Sequence, residues 1–237
     1  MGIFNFFKQT TKANYNHDTK DTRKAECPYC NKALEKIPAK KTKCPHCGQF
    51  IIVRTNPENK SRVVVTETEA KKIDRQWSEI QFYKKWIENL EQFNVTEKDF
   101  QTKQLALNKK FGHKASTHDV IWGIFNTLIV MTNDPQQLRM INNEMALFLD
   151  DEGRNPFPSL FEASRMELLF LQSTGCKKVE IHTTDNQSCK ECNNQNGKIY
   201  KIENAIKNMP IPCKKCSFKF EPNKKPFCRC MYLTITE

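Results

Sequence analysis

"ETEAKKIDRQWSEIQFYKKWIENLEQF", residues 67–93, decides the fold class. Ile73, Trp77, Ile80, Tyr83 or Lys84, Ile87 and Leu90 recur at steps of three and four, the spacing that gathers side chains on one face of a helix. A helix with one apolar stripe must bury it against other elements. Downstream, Thr96 reads as the N-cap of a second helix bearing Phe100, Leu107 and Phe111, with Gly112 ending it. Ser116 or Thr117 can cap an apolar helix over 118–132. Asp134 followed by Pro135 starts a fourth, carrying Leu138, Ile141, Met145 and Phe148 as far as "DDEG" (150–153). "NPFPS" interrupts the pattern, and a fifth helix over 159–173 stops at Gly175. Five such helices predict a helical bundle over 67–175. Beyond it the period changes to two: "KKVEIHTT" (177–184) places Val179 and Ile181 on one face of a strand. Upstream, "TNPENKSR" (55–62) reads as a linker and "RVVVTET" (62–68) as a short β-branched strand. The expected fold is mainly α, a central bundle flanked by two small β-containing modules. Its expected segments are a flexible 1–26, a first module over 27–55, a linker over 56–66, the helices over 67–175 and a second module over 176–237.

Of the 237 residues, 38% are hydrophobic, below the usual roughly 45–50%, so the core should be concentrated rather than spread evenly. No apolar run approaches the roughly 20 residues of a membrane span, and "VIWGIFNTLIVM" (120–131) reads as a buried helix instead. "MGIFNFFKQT" lacks the apolar run and cleavage site of a secretory signal, and Phe6 stands where a myristoylation motif has Ser or Thr. The expected location is cytoplasmic. In that reducing setting the eleven cysteines are expected as metal ligands rather than disulfides. Their number is odd, and Cys176, isolated from the rest, is the expected spare thiol, a small buried apolar side chain.

The net charge of +11 is unevenly placed. Residues 1–60 hold 12 Lys and Arg against 5 Asp and Glu, residues 61–175 hold 14 against 16, and residues 176–237 hold 12 against 6. The excess sits on the two cysteine-rich ends, a distribution that suits a polyanionic partner, nucleic acid first, and equally suits a solvated surface.

At the N-terminal end, "CPYC" and "CPHCG" place Cys27, Cys30, Cys44 and Cys47 in two Cys-x-x-Cys pairs. Structural zinc takes four ligands in a tetrahedron, and each such turn aims two sulfurs at one ion. Gly48 supplies the positive φ that follows a knuckle, and His46, between two ligands, is expected to face solvent. The pattern resembles the zinc-ribbon family, in which knuckles sit on β-hairpins, with "QFIIVRT" (49–55) as the strand after the second knuckle. The family serves nucleic-acid binding, protein binding or scaffolding.

The C-terminal end offers six thiols: Cys189 and Cys192, Cys213 and Cys216, Cys228 and Cys230. "DNQSCKECNNQNGKIYKIENA" followed by "PFCRCMYL" resembles the C-terminal module of the phage head-morphogenesis (minor capsid protein) family. On that resemblance Cys189 and Cys192 match the knuckle, Gly197, Lys198 and Tyr200 the turn and strand, and Cys228, Arg229 and Cys230 the final triplet. The family's His falls on Lys225, which cannot ligate while protonated, and Cys213 or Cys216 is the available replacement. Four of the six thiols then bind, in a set the sequence leaves open, so two zinc ions are expected, one per module. The helices do not match a capsid protein.

No histidine stands in a catalytic metal signature, an all-thiolate site has no open position for water, and "FGHKASTHD" reads as a capping loop. The expected function is therefore non-enzymatic: zinc modules contacting nucleic acid or a nucleoprotein assembly through Lys40, Lys41, Lys43 and Arg54 at one end and Lys214, Lys215, Lys219, Lys224, Lys225 and Arg229 at the other. Tyr29, Phe218, Phe220 and Phe227 can stack on bases or pack around the metal. The alternative is a phage-derived assembly protein acting through protein contacts or self-assembly.

Overall fold

A computed structural model describes residues 25–184, 188–214 and 230–235, and about 52% of these described residues are helical. The chain divides after Phe82 into two compact units.

The first unit opens with β1 (Ala25–Glu26) and β2 (Ala33–Leu34), an antiparallel pair in the register Ala25↔Leu34. A second sheet runs in the order β3 (Thr42–Lys43), β4 (Phe50–Thr55), β5 (Arg62–Val65), all antiparallel. The expected linker is folded: residues 56–61 are the turn of the β4–β5 hairpin. Asn56 exchanges backbone hydrogen bonds with Lys60 and Ser61 (2.9 and 2.8 Å), and Lys60 takes φ 60. Alternation along β4 divides its apolar residues between two small cores. Ile51 joins Cys27, Leu34 and Cys44, whereas Ile52 joins Val65 and Ala70. Ala70 belongs to α1 (Glu67–Glu91), which begins at a capping box: the Thr66 N–H donates to Glu69 Oε2 and the Glu69 N–H to Thr66 Oγ1. Backbone and side-chain hydrogen bonds from Thr66 hold the Glu69 carboxyl below its ordinary range. Two further contacts tie this end of α1 to β4. Trp77 Nε1 donates to the Thr55 carbonyl (2.7 Å), and Arg54 forms a two-point pair with Asp74 (2.7 and 3.0 Å).

The second unit takes the last turns of α1 and adds α2 (Glu97–Phe111), α3 (Thr117–Met131), α4 (Pro135–Asp151) and α5 (Phe157–Ser173). The helix boundaries follow local chemistry. Thr96 with Asp99, and Ser116 with Asp119, form complete capping boxes. Asp134 accepts from the Gln136 and Gln137 amides, and Gly112 closes α2 at φ 74. An aromatic cluster centres on Trp86, fully buried, whose ring lies edge-on to Phe148 (5.1 Å) and Phe125 (6.0 Å). Trp86 lies off the stripe expected from the sequence.

After α5 come β6 (Lys178–His182), α6 (Lys190–Asn193), β7 (Ile199–Lys201), α7 (Ile202–Asn208) and β8 (Met231–Thr234). The sheet order is β7-β6-β8, antiparallel throughout. Val179 and Ile181 do share one buried face. They pack with Ile202, Ala205, Ile211 and Tyr232, and with Leu168 from α5, so this module is built onto the last helix of the bundle. Among the described residues no helix is long and apolar enough to cross a membrane.

Candidate metal centres

Each N-terminal knuckle is a tight turn that closes on its first cysteine. The Asn31 N–H donates to the Cys27 carbonyl and the Gly48 N–H to the Cys44 carbonyl, both at 2.9 Å. Asn31 (φ 56) and Gly48 (φ 73) hold equivalent left-handed positions one residue past the second ligand. Asn tolerates that region better than most side chains, and this is why the first knuckle forms without a glycine.

The turns bring Cys27, Cys30, Cys44 and Cys47 together, with all four sulfurs within 4.8 Å of one another. Cys27 and Cys47 are 3.7 Å apart, Cys30 and Cys44 3.9 Å. A tetrahedron with zinc–sulfur bonds of about 2.3 Å has edges of about 3.8 Å, whereas a disulfide is about 2.05 Å long. The spacing is that of a metal shell. The donor set, four thiols and nothing else, fits zinc.

Charge within the cluster is unequally shared. Burial raises the Cys44 thiol, but the Cys47 and His46 amides and the neighbouring thiols outweigh it and pull Cys44 down to about 6. At Cys47 the Gln49 amide favours the thiolate, yet burial and the other three sulfurs push it up to about 12. Cys44 is thus favoured as a thiolate at the expense of Cys47, and a divalent cation would remove that conflict. His46 stands outside the shell. It is exposed, and its Nε2 donates to the Ala33 carbonyl at 3.1 Å, linking the second knuckle to the first hairpin.

The second group lies at the edge of the β7-β6-β8 sheet. Cys189 caps α6 and accepts the Cys192 N–H at its sulfur (3.4 Å). Cys192 and Cys230 have sulfurs 3.6 Å apart, again a tetrahedron edge. Cys213 and Cys230 both pack on the core of this module. Cys189, Cys192, Cys213 and Cys230 form a group that could hold a second zinc ion. The knuckle is held to β6 by side-chain amides. Asn196 Oδ1 accepts from the Thr183 N–H, and Asn193 Oδ1 from the Thr183 hydroxyl, both at 2.9 Å. Cys216 and Cys228 lie outside the described residues. Cys176 is half-buried beside the same core, its thiol donating to the Lys178 carbonyl at 3.1 Å.

Of the basic residues named from sequence, Lys40, Lys41, Lys43 and Lys214 are exposed. Arg54 is engaged by Asp74, whose carboxylate raises its pKa further, so its charge is already matched. Lys215, Lys219, Lys224, Lys225 and Arg229 lie outside the described residues, as do Phe218, Phe220 and Phe227. Tyr29 is exposed on the first knuckle. Sequence reasoning passed over Phe50. It sits 49% exposed on β4 with Lys41 Nζ and Lys43 Nζ 5.3 and 5.4 Å from its ring centre. Alternation along "QFIIVRT" could have separated it from buried Ile51, but the cross-strand pairing with Lys43 is a fact of register. The histidines of "FGHKASTHD" do not converge: His113 Nδ1 bonds the Lys114 carbonyl, whereas His118 Nδ1 bonds Glu152 Oε1.

No family model, curated protein or solved structure matches this chain.

Proposed function

We propose that the chain is a zinc-stabilised, non-enzymatic binding protein that contacts nucleic acid through its basic zinc modules. One observation carries the reading. The metal-ordered ribbon, residues 25–65, bears 8 Lys and Arg against 3 Asp and Glu, and Lys40, Lys41 and Lys43 stand exposed just before the second knuckle. Zinc fixes the backbone that carries these cations, so their charge is presented rather than diffused over a mobile loop. Contacts of lysines with phosphate are sequence-independent and are weakened by salt as counterions are released.

The test is a fluorescence-anisotropy titration of the zinc-loaded chain with DNA and RNA oligonucleotides over a salt series. The expected result is binding whose log affinity falls linearly with log salt, and whose strength drops when zinc is removed by a chelator. Absence of binding at low salt to every oligonucleotide would overturn the reading. A second reading, assembly through protein contacts, is favoured by the exposed Ile199, Met231 and Leu233 on the β7-β6-β8 sheet. Concentration-dependent self-association without nucleic-acid binding would select it.

A further inference from the structure

The exposed ring of Phe50 is not needed by the ribbon. The cores of that unit are made by Cys27, Leu34, Cys44 and Ile51 on one side and by Ile52, Val65 and Ala70 on the other. Phe50 stands at the first position of β4, opposite Lys43 of β3. Lys41 lies two residues before Lys43, in the bend that leads into β3. Both ammonium groups hang over the ring, and both side chains are exposed. Lys41 has a further neighbour, Glu67, at 4.0 Å, with both partners more than half exposed. A solvent-screened pair at that distance contributes little and yields easily to a phosphate.

From this geometry we infer that Phe50 is a stacking platform for one base of a single-stranded nucleic acid, with Lys41 and Lys43 moving from the ring to the phosphates on either side of that base. The inference rests on the nucleic-acid reading above and specifies the partner. A flat apolar ring presented by a strand and bordered by two cations matches the two parts of a nucleotide, its π-face and its phosphate. Duplex bases are already stacked on one another and offer no free face. Single strands are therefore the preferred ligand, and the platform is tolerant of base identity. A protein ligand acidic enough to neutralise Lys41 and Lys43 would leave the ring without a flat partner.

The experiment uses the full zinc-loaded chain, a fluorescein-labelled oligothymidine and a duplex of the same length, in parallel with Phe50→Leu, Phe50→Trp and Lys43→Gln. Phe50→Leu keeps an apolar strand residue and removes the stacking face. Its expected effect is a loss of about 5- to 150-fold in affinity for the single strand, the stacking of one base, with an unchanged salt slope. Phe50→Trp is expected to bind as tightly as the parent or better. Lys43→Gln should lower the magnitude of the single-strand salt slope by about 0.7, one phosphate contact. A measurement that needs no variant is photo-crosslinking of the parent chain to an oligonucleotide carrying iododeoxyuridine, with the adduct expected on Phe50. If the parent binds single strands but Phe50→Leu binds equally well with full zinc content, or if duplex binds as tightly as single strand, the platform is wrong and the broader reading survives. If the parent binds neither probe, both fall.

Discussion

Cys47 is the exposed corner of a cluster whose other members are buried or half-buried, and the contrast shows what sequence spacing can and cannot say about ligands. Four thiols in two paired turns identify their own shell, because nothing else within reach can complete it. The C-terminal module carries six, and the four described ones, Cys189, Cys192, Cys213 and Cys230, form a group that could hold one ion. Cys213 packs on the module's core two residues after Ile211, which is buried there and whose carbonyl accepts from the near-fully buried Tyr232 hydroxyl (3.1 Å). The consequence is measurable as zinc content by mass spectrometry of the native chain. Cys213→Ser is expected to reduce bound zinc from two ions per chain to one, and Cys216→Ser to leave two. The reverse pattern would move the fourth ligand to Cys216. Losing one thiolate weakens a site whose full binding free energy is about 10–16 kcal/mol, so zinc is counted after exposure to a competing chelator, to which the weakened site should yield its ion first.

The helices are ordinary at their ends and less so along their faces. Thr96 and Ser116 accept the third-residue amide of their helices while Asp99 and Asp119 return the bond to the cap. Thr96→Ala or Ser116→Ala should each cost about 1 kcal/mol by urea denaturation at pH 7. The Thr96 side chain and backbone amide hold the Asp99 carboxyl below its ordinary value. A depressed carboxyl stabilises the fold above its unfolded pKa, about 3.9 for Asp, and that contribution disappears as pH falls through the folded value. The difference between parent and Thr96→Ala should accordingly shrink as pH falls below the unfolded value of about 3.9, and a difference that grew in acid would refute the role given to Asp99. These boundaries were legible in the sequence because capping residues act within four positions of one another. The buried face of α1 was less so. Ile73, Trp77 and the fully buried Leu90 follow the expected stripe, but Trp86, equally buried, lies off it. A fixed spacing passes from Tyr83 to Ile87 and skips Trp86. The helix packs first on the strands β4 and β5 and then among Phe125 and Phe148, and its buried side changes where its neighbours change. That information lies in the partners, distant in sequence, and not in the helix itself.

At the scale of the molecule, the two zinc modules depend on metal to different depths. In the ribbon, Cys27 and Cys44 are themselves half of the four-residue core formed with Leu34 and Ile51. Without the ion the sulfurs would have to be buried as crowded thiols, and too little apolar surface remains to replace the lost bonds. The helical unit has its own aromatic centre around Trp86 and should not require the ribbon. The C-terminal module is different, because Leu168 of α5 belongs to the same buried cluster as Val179, Ile181 and Tyr232. Loss of its metal exposes one side of a bundle helix. Cys27→Ser and Cys192→Ser should therefore fail differently when helix content is followed by circular dichroism during heating. Cys27→Ser is expected to lose the ribbon and fray the start of α1, leaving the main helical transition within about 2 °C of the parent. That allowance corresponds to less than 1 kcal/mol for a unit of this size. Cys192→Ser is expected to lower that transition by roughly 5–15 °C, at about 2–4 °C per kcal/mol, because the α5 contacts with the sheet go with the metal. Equal shifts in the two variants would mean that the ribbon also supports the bundle. No shift in Cys192→Ser would mean that the core around Leu168 holds without its zinc.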